Sequence, residues 1–142
     1  MMQALIEILH REQCSLVVRH DGEVSTYGKP GVRDLEHLLK HQPEVLKGAL
    51  VADKVVGKAA AALMVVGGVA QVYAEVLSEK AVPFLQKAQI PYTYGTLVNA
   101  IEEGSGRCPL EAITAPASTP KQAVELLFAH FRQMQARRHL SP

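Results

Sequence analysis

The chain has 142 residues, 48% of them apolar, with 15 Lys and Arg against 14 Asp and Glu. That is enough for one domain over residues 1–142 that buries roughly two thirds of its unfolded surface. Near-neutral charge with four Tyr, three Phe and no Trp argues against a basic, base-stacking face, so no nucleic-acid partner is expected.

Leu5, Ile6, Ile8 and Leu9 give an apolar face to a first helix over residues 2–12, which should pack on a sheet. Glu7, Arg11 and Glu12 interrupt that segment, so it lacks the core of a signal peptide. Two β-rich runs follow, 15–20 and 23–27, separated by Asp21-Gly22, a strong hairpin signal. Gly28 to Gly31 breaks the second strand and leads to a helix over 32–40 with Leu35, Leu38 and Leu39 on its buried side. His37 and His41 stand at i, i+4, but Pro43 ends the helix and no third ligand is evident, so no metal site is expected.

Residues 49–52 form an apolar run too short for a helix and read as a central strand. Asp53 is then a suitable N-cap and Gly67-Gly68 a natural stop, which predicts a helix over about 54–66. On its wheel Val55, Ala59, Ala62, Leu63 and Val66 share one stripe, while Lys54, Lys58, Ala61 and Val65 share another. The apolar run 59–70 falls short of the roughly 20 residues a bilayer requires, so no membrane partner is expected and a cytoplasmic location follows by default. A strand over 69–76, a helix capped by Ser78 and running to about 89, and an edge strand over 90–95 come next. This alternation implies parallel crossovers, hence a mixed sheet with an N-terminal antiparallel hairpin and a parallel half. A helical turn or two is expected over 97–103. Thr119-Pro120-Lys121-Gln122 reads as a capping box opening a last helix over 120–137, with Val124, Leu127, Phe128 and Phe131 inward.

The run from Ala52 to Ala61, with Ser78 after the next strand and Cys108-Pro109-Leu110-Glu111 near the end, resembles an uncharacterised bacterial family, a domain of unknown function with a cytidine deaminase-like fold. The resemblance covers about residues 15–113, and the family usually has Met where this chain has Leu110. It implies a three-layer α/β/α domain. It does not imply zinc-dependent deamination, which needs H-x-E and P-C-x-x-C. His10-Arg11-Glu12 lies on a surface helix before the hairpin, and Cys108-Pro109 reverses the required order. The same fold works without zinc in the transformylase of purine synthesis and in a formate dehydrogenase accessory protein.

Asp53, Lys54, Gly57 and Lys58 are candidates for an anion site, Gly57 admitting the ligand and the lysines supplying charge. The plainer reading makes Asp53 a cap, the lysines solvated and Gly57 a packing residue. Cys108 beside Arg107 is a candidate nucleophile with Glu111 as proton acceptor, or else a small buried side chain. Ser78 caps a helix and can also offer its hydroxyl to a ligand, with Asn99 near the same crevice. Cys14 and Cys108 form neither a metal spacing nor a disulfide framework. The reading is a metal-independent protein without cofactor that binds a small anionic or nucleotide-like ligand at Asp53, Lys54 and Lys58, near Ser78, Cys108 and Glu111. The alternative is a non-catalytic regulatory or interaction module, homodimeric through an exposed helix.

Overall fold

The computed structural model describes residues 2–29, 31–103, 106–107 and 109–140. Helix α1 (Met2–Glu12) buries Leu5 and Leu9, and strands β1 (Leu16–His20) and β2 (Glu23–Tyr27) pair antiparallel across Asp21-Gly22. Both turn residues have positive φ, 49° and 80°, the conformation whose twist suits a two-residue hairpin. Helix α2 (Arg33–His41) then buries Leu35 and Leu38. Pro43 opens a separate short helix, α3 (Pro43–Leu46), absent from the sequence reading.

Strand β3 runs Leu50–Val56, four residues beyond the expected end. The ladder explains the extension. Asp53 is opposite Ala74, Val55 opposite Val76 and Val56 opposite Leu77 in β4 (Gln71–Ser78). On the other side the Lys54 N–H donates to the Ser15 carbonyl at 2.9 Å. Each continued pair satisfies backbone groups that an early helix would leave open. Asp53 is thus a strand residue, not an N-cap, and Lys54 does not share a helix face with Lys58. Val55 and Val66, expected on a buried stripe, are 38% and 43% exposed. Gly57 is the extended residue before α4 (Lys58–Gly67), and Gly68 closes that helix in the left-handed conformation. Buried residues of α4 lie all round it, from Ala59 to Met64.

Two further expectations change. Ser78 ends β4 instead of capping a long helix; α5 is only Val82–Lys87, and the Ser78 hydroxyl accepts the Lys80 N–H in the preceding turn. The helical turn over 97–103 is absent, because Leu97 and Val98 complete β5 (Tyr92–Val98) and Glu102–Glu103 is a two-residue strand, β6, paired with β7 (Gly106–Arg107). A short helix, α6 (Pro109–Thr114), follows, and then α7 (Pro120–Leu140). The capping box forms by half: the Thr119 hydroxyl accepts the Gln122 N–H, while the Gln122 side chain turns to Ser118.

Among the described residues five strands make one sheet in the order β2-β1-β3-β4-β5, antiparallel on the β1 side of β3 and parallel on the β4 side. Alternation divides the core. Val17, Ala52 and Tyr73 pack with Leu5 and Leu9 of α1 on one face. Val18, Val51, Val72 and Leu77 pack on the other with α2, α4, α5 and α7. Val124 and Leu127 are buried there, with Phe128 and Phe131 packed against them. The result is the mixed α/β sheet between helical layers that the sequence implies. No described helix is long and apolar enough to cross a membrane.

Candidate functional site

Where β3 gives way to α4, the chain leaves a cavity of about 410 Å³. Asp53, Lys54 and Val55 line it from the strand, Gly57, Ala59 and Ala60 from the turn and helix, and Leu110 and Glu111 from α6. Gln13 and Ser15, which sequence reasoning did not single out, close its rim. With Gly28, Gly31, Val32 and Ile101 completing the lining, nine of the fourteen contributors are apolar or glycine.

Asp53 is 6% exposed. Burial pushes its carboxyl up to about 8, with Asp34 adding to the effect, against the N–H groups of Val55 and Lys54, which favour the ionised form. The carboxyl donates or accepts a proton close to neutral pH, where acid–base groups are most effective. Glu111, 9% exposed, enters from the other side, and its Oε1 accepts the Lys58 N–H at 3.4 Å. A Cβ on Gly57 would lie 2.7 Å from that oxygen and 3.1 Å from Ile101 Cγ1. Glycine therefore makes room for Glu111 at the helix start, which is the close approach expected there, with a side chain of the protein as the visitor.

The two lysines part company. Lys54 is exposed, lines this cavity and also a second recess bearing His10, Cys14 and Glu75. It makes no ion pair among the described residues. The Lys58 ammonium instead donates to the carbonyls of Ala115 at 3.2 Å and Ala117 at 2.7 Å, 5.5 Å from the centre of the Phe84 ring. It fastens the segment after α6 and is not among the residues lining the cavity.

Ser78 is fully buried and donates to the Asn99 carbonyl at 3.5 Å. Neither residue lines the cavity. Cys108 lies outside the described residues, immediately before α6. The structure thus brings Asp53, Lys54, Gly57 and Glu111 together, and leaves Lys58 and Ser78 behind the wall. It also shows a network with no sequence signal: His10 Nε2 meets Glu75 Oε2 at 2.6 Å, and the Tyr73 hydroxyl donates to the same oxygen.

The lining offers two carboxyl groups and, among the described residues, no imidazole or thiol. That set does not fit the His/Cys cage of a zinc deaminase. Nor are three His, Cys, Asp or Glu side chains placed elsewhere among the described residues so that they could hold a metal ion.

A sequence profile described as TM1506, a domain of unknown function (DUF1893), matches residues 4–131. The chain belongs to the DUF1893 family. The crystal structure of another DUF1893 protein, TM1506 of Thermotoga maritima, is similar to it with a TM-score of 0.83 over 91% of this chain and 88% of that chain, at 21% identity. That likeness shows a shared fold. RibD of Acinetobacter baumannii is similar at a TM-score of 0.44 and 19% identity, over 66% of this chain and 34% of that one. This DUF1893 chain spans about a third of that protein, and the likeness is too weak to bear on activity. No curated protein matches the sequence.

Proposed function

We propose that the cavity at the end of β3 binds a small, nucleotide-like molecule and performs acid–base chemistry on it, without a zinc ion held by the described residues. The observation that carries this reading is the buried Asp53 carboxyl, shifted to about 8, facing the same cavity as Glu111. A carboxyl able to exchange a proton near neutral pH, with a second carboxyl lining the same cavity, is a set of groups that acid–base chemistry uses. The largely apolar wall suits a planar ring. An anionic group on the ligand would meet Lys54, whose ammonium has no partner among the described residues, in place of the lysine pair. Cys108 enters the proposal through its position next to Pro109, the first residue of α6. A thiol there that alkylates with iodoacetamide at neutral pH supports a nucleophilic role, and one unreactive up to about pH 9 removes it.

Isothermal titration with a panel of nucleobases, nucleosides and nucleoside monophosphates, repeated on Asp53→Ala and Glu111→Ala, tests the site. Heat with the natural chain that vanishes in both variants supports it. Equal heats in all three proteins end it.

A second reading, a homodimeric interaction module, is favoured by β5, an edge strand whose Tyr94 and Leu97 are 45% and 40% exposed. Uncharged exposed edges invite pairing with another strand. Light scattering during size exclusion decides it: a dimer lost in Leu97→Lys supports this reading, and a monomer at all concentrations removes it.

A further inference from the structure

On the far side of the helical layer, α2 and α7 form a groove of about 210 Å³ that the proposed site does not use. Arg33 and Lys40 line it from α2 and Arg132 from α7. Glu36 is the one carboxylate among its described lining residues. In a chain of net charge +1 this is a concentration of positive charge, and none of the three cations makes an ion pair among the described residues. Three cations gathered around a single carboxylate repel one another, a cost that a bound anion offsets.

Two details shape the ligand. The Arg33 guanidinium lies 5.9 Å from the centre of the Phe131 ring, so its fork is held in place and less freedom is lost on binding. The rings of His37 and His41, also in the lining, lie 4.7 Å apart and add further N–H groups. Fixed guanidinium forks match phosphate oxygens better than they match a single carboxylate on a flexible stem. The volume of about 210 Å³ admits a short phosphate chain.

We infer that the α2–α7 groove binds a small polyphosphate, either free or as the charged end of a nucleoside polyphosphate. This inference is independent of the cavity at Asp53. Inorganic tripolyphosphate is the probe, titrated calorimetrically against the full chain at about 50 mM and about 200 mM salt. The expected result is one site per chain, weakening with salt. The double variant Lys40→Glu/Arg132→Glu, altered at two exposed positions, should lose affinity by about tenfold or more. The control Arg11→Glu/Lys47→Glu makes the same change of charge elsewhere on the surface and should remain within about threefold. Thermal melting shows that both variants fold. No heat with the natural chain overturns the inference, as does an equal loss in the control, which would reveal only general attraction. Adenosine triphosphate binding more tightly than tripolyphosphate, with the same loss in the double variant, supports the nucleoside form. Tenfold tighter binding of a single-stranded RNA 12-mer than of either would make the groove a nucleic-acid surface and overturn the small-ligand reading.

Discussion

Glu111 and Gly57 are interlocked. The carboxylate oxygen of one lies 2.7 Å from where a methyl group on the other would sit, so the position of Glu111 depends on the absence of a side chain 54 residues earlier. The backbone of Gly57 is extended, with φ −98° and ψ −171°, and alanine adopts it without strain. The contact is with the far end of a flexible side chain, so Gly57→Ala should cost little stability, within about 1 kcal/mol by denaturant midpoint. Its effect should fall on the site. Glu111 must swing away, and any ligand found by titration should bind the variant about tenfold more weakly or worse. Unchanged affinity in a folded Gly57→Ala protein would separate Glu111 from binding.

Asp53 makes stability depend on pH in an unusual direction. Its folded pKa of about 8 stands above the ordinary 3.8, so between those values the folded chain keeps a proton that the unfolded chain gives up. The stabilisation is fully present below about pH 4 and is lost as pH rises through about 8. Asp53→Asn keeps a similar shape and cannot ionise. Its stability should be flatter across that window, and at pH 9 it should exceed the natural chain by roughly 1–3 kcal/mol. Urea midpoints at pH 5, 7 and 9 provide the check. Parallel curves for the two proteins would mean that the carboxyl is ionised throughout.

The sheet was legible because its signals are local. Asp21-Gly22 between two β-rich runs and the short apolar run before Asp53 each specify an element from within a few residues. The boundary of α4 was not, because local and long-range preferences conflict there. Asp53 is a good cap by type, yet the Val55–Val76 and Val56–Leu77 pairings draw the strand past it. That one shift removed Lys54 from the helix and converted the cap into a buried acid. Asp53, Gly57 and Glu111, which line the cavity, stand out in the sequence by residue type and motif. The use of Lys58 was hidden because its acceptors, Ala115 and Ala117, offer only backbone carbonyls, which every residue has.

Lys54 and Lys58 should therefore behave differently when truncated. Lys58→Ala removes two charge-assisted hydrogen bonds to the segment joining α6 to α7, at a cost of about 1–3 kcal/mol. Lys54→Ala removes an exposed ammonium without an ion pair among the described residues and should change stability by no more than about 0.5 kcal/mol. In binding the order reverses for an anionic ligand: Lys54→Ala should lose about tenfold, or about 1.4 kcal/mol, and Lys58→Ala less. Thermal melts and titration on both variants test the pair. A destabilised Lys54→Ala with intact binding would assign the lysines the other way round.

The His10, Glu75 and Tyr73 network joins α1 to β4 across the second face of the sheet. Glu75 is held below the ordinary carboxylate range, first by the Tyr73 hydroxyl and then by His10. Tyr73 is pushed up to about 12, mainly by burial and further by its bond to Glu75. A depressed carboxylate stabilises the fold above its unfolded pKa, and that contribution is lost as pH falls through the lower folded value. Glu75 is substantially solvated, so this contribution is small. The sharper readout is its own titration. Tyr73→Phe deletes the leading cause while keeping the ring against Leu5 and Leu9, so Glu75 should titrate at higher pH in the variant by carboxyl-carbon NMR. His10→Ala should raise its pKa less and should speed amide exchange along α1, which loses its polar tie to the sheet. If Glu75 titrates identically in the natural chain and in Tyr73→Phe, the tyrosine hydroxyl spends its hydrogen bond elsewhere in solution, and only His10 is left to hold Glu75.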